Sequence, residues 1–457
     1  MARLLLKDIY YLQTSAEAEG LRGYDVLIDG NRVAKVEANI DFTPGPGDRV
    51  IDASKHVVVP GFVNTHHHFY QTLTRNIPAV QNAKLFDWLV YLYEVWKHID
   101  EDAVYYSSLL AMAELLKTGC TTSTDHHYLY PKNFAGDLMG LQFEAADTLG
   151  MRFSPTRGSM SLSRKDGGLP PDSVVQTEEE ILEDSERVIE KYHDGSELSM
   201  RKIVLAPCSP FSVTEDLMKR TAELARKHGV RIHTHVAETF DENDFCMEVY
   251  GRRPLQLMQD TGFVGEDVSY AHGIHFNDEE LDVLAETGTY IAHCPSSNMR
   301  LGSGVCRVTE MLPKGVNVAL AVDGSASNDA SDILGEMRAA LMLQRVKYGS
   351  GALTAKDVYK IAGENGARLL GYNKVGRLEE GWAADLAAFD ISGIGYAGSL
   401  SDPQASLVFS GYDHGADYTI VNGRVVVENG RLAGFDEREL AEKANAIAFA
   451  MLEKGRQ

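Results

Sequence analysis

Positive charge is scarce in this sequence: 44 lysines and arginines stand against 66 aspartates and glutamates, for a formal net charge of -22. A surface of that sign repels phosphate backbones and anionic lipid, which argues against a nucleic-acid polymer or a membrane as partner, although not against a free base as ligand. Cysteine is also sparse. Cys120, Cys208, Cys246, Cys294 and Cys306 are scattered, odd in number and without C-x-x-C spacing, which excludes a disulfide framework and predicts reduced thiols in a cytoplasmic protein. No long apolar run occurs either. The opening MARLLLKDIYYLQ is interrupted by Lys7 and Asp8, too early for a signal segment or a membrane span, and reads as a strand of a soluble protein. Long repeats and low-complexity linkers are missing as well. What remains, 44% hydrophobic and 24% charged residues over 457 positions, suits one large domain with a smaller one attached.

The two ends share one grammar. Up to about Val59, short alternating runs are broken by turns, with Asp29-Gly30-Asn31 as a hairpin signal. The same pattern returns between Gly376 and Gly434, where Asn422-Gly423 and Asn429-Gly430 mark tight turns. These ends predict one small β-sandwich built from residues 1–59 and 366–457, closed by an amphipathic helix over Glu437 to Lys454.

The middle, residues 60–365, alternates short apolar strands with helix-length amphipathic segments, the pattern of parallel βα units. Counting the strand at Pro60, eight such strands are present: CTTSTDHHY, MRFSPTRGS, KIVLAPCSPFS, VRIHTHVAE, VSYAHGIH, TYIAHCPSS and NVALAVDGS follow it. The fold class is therefore α/β, a (β/α)8 TIM barrel, with chemistry expected at the C-terminal strand ends. Long segments after strands 1 and 3, from Thr72 to Asp100 and from Gly158 to Glu178, are expected over the mouth. The aromatics of the first, including Trp88, suit either substrate recognition or the inner face of a lid helix.

The stretch the chain is organised around is PGFVNTHHHFY, from Pro60 to Tyr70. Residues two apart on a strand point to the same side, so His66 and His68 aim at one point while His67 faces away. A lone histidine at a strand end is usually structural. Here VRIHTHVAET, VSYAHGIH and VALAVDGSASND also deliver His or Asp where an apolar run meets its loop, and imidazole with carboxylate is what a borderline divalent metal accepts.

NTHHH, HTHVAET, AHGIH and AVDGSASND together resemble the amidohydrolase superfamily, in its mononuclear deaminase branch. Loop sequences such as DHHYLYP and GGLPPDSVVQ look closer still to the 8-oxoguanine deaminase group, whose members are often labelled hydroxyatrazine-type aminohydrolases. The resemblance implies that His66, His68, His235 and Asp323 bind one divalent metal per subunit, zinc by ligand type with iron(II) as the alternative. It implies further that Glu238 shuttles protons and that His272 holds the attacking water. No lysine stands at the C-terminal end of strand 4 to bridge a second metal, and Cys208 occupies a position where many relatives carry histidine.

The chemistry asks for these groups on its own terms. A Lewis-acidic metal lowers the pKa of water from about 15.7 to about 7. Asp323 can take its proton, Glu238 can protonate the ring nitrogen of a cyclic amidine, and His272 can stabilise the oxygen as it adds to the amino-bearing carbon. Gln71 and Arg157 offer donors to the oxygens of an oxopurine and Trp88 a stacking face, while Arg75 and Asp87 either join them or hold the loop. His233 reads as a barrel-core or supporting group, and His67 and His275 as structural. His126, His127 and His293 stand at strand ends, where each suits a substrate contact or a buried structural role. The expectation is a metal-dependent aminohydrolase turning 8-oxoguanine and water into urate and ammonia, a homo-oligomer with a small heterocyclic substrate. The rivals are an s-triazine aminohydrolase, a deaminase of guanine, isoguanine or a cytosine-like base, and a silent scaffold, which typically lacks metal ligands.

Overall fold

The computed structural model describes residues 3–134, 136–411 and 413–456. Alternation of apolar and polar residues at the N-terminus builds a four-stranded sheet in the order Arg32–Ala38, Tyr24–Asp29, Arg3–Ile9 and Arg49–Asp52. A second sheet draws on both ends of the chain, because His56–Pro60 pairs antiparallel with Leu386–Asp390, which is followed by Tyr418–Val421, Arg424–Glu428 and Arg431–Leu432. Leu4, Leu6, Val26 and Ile28 of the first sheet meet Val58, Leu386 and Ile420 of the second in one apolar core. Two of the predicted turns need left-handed backbone at both central residues. Asn422 and Gly423 have φ of 52° and 78°, and Asn429 and Gly430 of 52° and 73°.

The barrel strands are β1 (Phe62–Asn64), β2 (Cys120–Ser123 and His126–His127), β3 (Arg152–Phe153 and Thr156–Ser159), β4 (Val204–Pro207), β5 (Arg231–Val236), β6 (Val268–His272), β7 (Tyr290–His293) and β8 (Asn317–Leu320). All neighbours pair in parallel from β1 round to β8. The ring closes between β8 and β1. There the Thr65 amide donates to Leu320 O (3.2 Å), the Asp323 amide to His66 O (3.0 Å) and the Val322 amide to Asn64 Oδ1 (2.9 Å). Nearly every barrel strand residue is buried, which is why these strands read as apolar runs rather than alternating ones.

Strands β2 and β3 are each split, where the sequence suggested single runs. In β3 the break falls at Ser154-Pro155, and Pro155 has no amide hydrogen for the ladder. In β2 it falls at Thr124-Asp125. The Asp125 carboxyl there takes the Phe69 amide (2.6 Å) and the Gln142 side-chain amide (2.5 Å).

Barrel and sandwich are joined by a buried ion pair. Arg152 on β3 binds Asp385 through Nε (2.9 Å) and Nη2 (3.1 Å), and its Nη1 donates to the carbonyls of Leu198 and Ser199, each at 2.6 Å. Both side chains are essentially inaccessible to water. Truncating Arg152 to alanine leaves an uncompensated buried carboxylate, a loss of about 3–5 kcal/mol. It should appear as a lower thermal midpoint than in an exposed-pair variant such as Lys360→Ala. All five cysteines are free and buried. Among the described residues, no helix is long and apolar enough to cross a membrane.

Candidate active site

Strand β1 ends at Asn64, and the next turns of chain deliver His66 and His68 to the centre of the barrel mouth. His68 Nδ1 lies 2.7 Å from His126 O, and His235 Nδ1 lies 2.6 Å from Cys208 O. A carbonyl oxygen only accepts, so both rings carry their proton on Nδ1 and present a bare Nε2. Yet those two Nε2 atoms face each other at 3.2 Å. Two lone pairs so close repel unless a cation lies between them.

His66 completes the same logic through a longer chain. The Ser269 hydroxyl donates to Ile232 O (3.4 Å) and accepts from His233 Nδ1 (2.7 Å), which leaves His233 Nε2 to accept from His66 Nδ1 (2.8 Å). His66 Nε2 is thereby bare as well, buried and without a hydrogen-bond partner. Asp323 Oδ1 stands 3.4 Å from His66 Nε2 and 3.5 Å from His68 Nε2. Tetrahedral zinc with bonds of about 2.0–2.1 Å needs ligand atoms about 3.3–3.4 Å apart, so three imidazoles and one carboxylate fit a divalent ion. Burial, first of all, holds His66, His68 and His235 below the usual histidine range, in the neutral form that ligation requires. Burial would raise Asp323, but the imidazoles of His66, His272 and His68 outweigh it and keep the carboxylate ionised.

Two further groups converge on this cluster from β5 and β6. His272 Nε2 lies 3.5 Å from Glu238 Oε2 and 3.9 Å from Asp323 Oδ2. Its Nδ1 donates to Asn298 Oδ1 at 2.9 Å. Burial pushes the Glu238 carboxyl up, with Asp323 adding to the effect and His272 opposing it. Burial alone would lower His272, but the carboxylates of Glu238 and Asp323 prevail and raise it. Ala237, His272 and Asp323 all sit in the left-handed region, with φ of 58°, 72° and 66°. Such backbone is costly outside glycine and is found where a site over-determines it.

A family model described as the amidohydrolase family matches residues 57–426 of this arrangement. The chain belongs to the amidohydrolase family. It is 48% identical over 401 residues to the 8-oxoguanine deaminase of Pseudomonas aeruginosa, covering 88% of this chain and 89% of that one. It is 35% identical to the hydroxydechloroatrazine ethylaminohydrolase of Pseudomonas sp. strain ADP, covering 93% and 91%. Among solved structures, the zinc complex of the atrazine chlorohydrolase from Arthrobacter aurescens superposes with a TM-score of 0.91 at 29% identity, covering 97% of this chain and all of that one. The chain is thus an aminohydrolase-type amidohydrolase acting on a heterocyclic small molecule with a divalent metal.

The amidohydrolase cluster opens into a cleft of about 450 Å³, its mouth included, lined by His68, His235, Glu238, His272 and Asp323 on its polar side. Gln71 and Trp88 reach the same cleft. Trp88 belongs to the Leu85–Trp96 helix, whose Leu89 and Tyr93 also face inward, so the segment after strand 1 is at once lid helix and cleft wall. The segment after strand 3 contributes support instead, with Met160 3.8 Å from the Tyr93 hydroxyl.

Arg157 requires a correction. It is buried but turned away from the cleft, with Nε on Asp184 (2.7 Å), Nη2 on Gln176 Oε1 (2.8 Å) and its guanidinium over the Tyr130 ring at 3.9 Å. The break at Pro155 restarts the alternation of β3, so Arg157, second in the Thr156–Ser159 run, faces the outer helix Glu178–Tyr192. Of the other uncertain groups, Arg75 pairs with Glu114 (2.8 Å) and holds the loop, while Asp87 is exposed in the first turn of the lid helix. His67 bonds Ser331 Oγ (2.9 Å), His127 bonds Leu129 O (2.8 Å) and His275 bonds Ser303 O (2.9 Å). His126 stacks on the His235 ring at 4.8 Å, and His293 is wholly buried with neither ring nitrogen bonded.

Cys208 lines the cleft, with its thiol pushed up to about 12 by burial, so it serves as a neutral wall. Sequence reading missed Tyr128, Phe211 and Leu301, which complete the apolar side. Tyr128 directly follows the His126-His127 pair, and proximity to that pair was the one signal for it.

Proposed function

We propose that this amidohydrolase deaminates an oxopurine, 8-oxoguanine with water giving urate and ammonia. The observation that carries the reading is the convergence of Glu238, His272 and Asp323 on one cleft beside three bare imidazole nitrogens, with the 48% identity to a named 8-oxoguanine deaminase in support of the substrate. His66, His68, His235 and Asp323 would hold one divalent cation, zinc in preference to iron(II), which when bound would make a water nucleophilic at neutral pH. Glu238, whose carboxyl burial pushes up, gives its proton to the ring nitrogen beside the amino-bearing carbon. Asp323 takes a proton from the attacking water and passes it to the departing amino group, so that ammonia leaves rather than amide anion. The proton left on the added oxygen restores Glu238. His272, raised by the carboxylates it faces, stabilises that oxygen through Nε2 as charge develops. Trp88 and Tyr93 exclude water above the ring, and Gln71, whose Oε1 is buried and unpaired, recognises a ring N–H.

A panel of 8-oxoguanine, guanine, isoguanine, isocytosine, cytosine and hydroxyatrazine, followed by ultraviolet change and ammonia release, tests the substrate. Turnover of another member without 8-oxoguanine would discard the substrate and retain the mechanism. The second reading, an s-triazine aminohydrolase, draws on the 35% identity to the hydroxydechloroatrazine ethylaminohydrolase, and hydroxyatrazine in the panel decides it. Trp88→Leu keeps apolar volume and removes the stacking face, a contribution of about 0.5–1.5 kcal/mol. KM for the best substrate should therefore rise roughly three- to tenfold, with kcat within about threefold of wild type.

A further inference from the structure

Among the described residues five helices carry glutamate three residues after their N-cap, three of them behind a threonine or an asparagine. At Glu178–Tyr192 and Asp278–Thr287 those glutamates, Glu180 and Glu280, reach back to the amides of Thr177 and Asn277 and close ordinary capping boxes. At Phe240–Tyr250 the third does not. Glu242 bypasses its N-cap residue Thr239, whose hydroxyl is left buried and unpartnered. Its Oε1 accepts the Ala237 amide (2.8 Å) and its Oε2 the Glu238 amide (3.1 Å). Glu242 is 1% exposed, and burial pushes its carboxyl up to about 7. Capping the helix does not require that placement, since Glu180 makes its box at the exposed surface.

The opposite side of the same turn is fixed as well. Ala237 O accepts the amides of Ile274 (2.9 Å) and His275 (3.0 Å), just beyond His272. The left-handed peptide at Ala237 is therefore clamped between Glu242 and the end of β6, and the residue that follows it is Glu238. We propose that Glu242 is a positioning residue that holds Glu238 at its working distance from His272 by binding the two amides of the turn. It touches no substrate and acts only through Glu238, so it rests on the role given to Glu238 above. Glutamine in its place offers one acceptor oxygen and must turn an amide hydrogen toward one of the two donors, which releases half of the clamp.

The test is a double-substitution cycle on the metal-loaded full-length enzyme, with the best substrate of the panel: Glu242→Gln, Glu238→Gln and both together. Displacement of a reacting group by about 1 Å lowers rates about 10²-fold, so Glu242→Gln should lower kcat about 10- to 100-fold, with KM within about twofold and metal content unchanged. In the Glu238→Gln background, Glu242→Gln should change kcat by less than about threefold, because the group it positions is gone. An equal fold-loss in both backgrounds would show a merely structural part and overturn the proposal, as would a kcat for Glu242→Gln within about threefold of wild type. Should Glu242→Gln lose metal or stability, the same cycle with Glu242→Asp, which is too short to reach both amides, decides between these outcomes. Near-normal kcat in Glu238→Gln alone would instead overturn the role of Glu238.

Discussion

Glu238→Gln should lower kcat by about 10³-fold, within the 10²- to 10⁴-fold span of a general acid–base group, while the enzyme keeps its metal. The glutamine matches the carboxyl in size and fills the same place beside His272, but it has no proton of suitable acidity to give the ring nitrogen. Because burial raises the Glu238 pKa, the acid form persists to higher pH than for a free glutamate. Wild-type activity should therefore decline as pH climbs through that raised value, and the variant's residual activity should lack this limb. Ammonia-release kinetics, metal analysis and a pH profile check all three. A variant within tenfold of wild-type kcat would remove Glu238 from the mechanism.

Exhaustive chelation should abolish turnover, by at least on the order of 10⁴-fold, because the Lewis acid accounts for several kcal/mol of barrier lowering. Stoichiometric zinc should restore it. Chelation should also lower the thermal midpoint, since an ion that binds only the folded chain stabilises it by mass action. The repulsion between His68 Nε2 and His235 Nε2 at 3.2 Å adds to that fall once no cation separates them. Titration with zinc and, anaerobically, with iron(II) distinguishes the two metals by activity per ion bound. Full activity after chelation would be incompatible with the ligand set.

The parts of the site that follow strand periodicity were legible before the fold was known. His66 and His68 are two apart just past the end of β1, and His235, His272 and Asp323 fall where apolar runs meet loops, so position at the strand ends brought them to one rim. Arg157 failed the same rule because Pro155 interrupts the ladder two residues earlier and resets the side to which the chain points. Glu242 was invisible for a different reason. At three residues past a threonine it has the spacing of a capping box, and only coordinates show its oxygens on the wrong amides for one. The fold was legible at the level of strand count and domain layout. The splitting of β2 and β3 was not, since tertiary bonds to Asp125 and a missing amide hydrogen at Pro155 decide it.

His66 and Asp323 follow the ends of β1 and β8, the two strands between which the ring closes, and the Asp323 amide reaches His66 O across that seam. A nascent chain emerging from the ribosome exposes its first histidines long before its aspartate, and so cannot assemble the full cage midway through synthesis. Capture of the ion thus reports that synthesis has passed the last barrel strand: a product terminated before Asp323 would leave the histidine pair open and the cylinder unsealed.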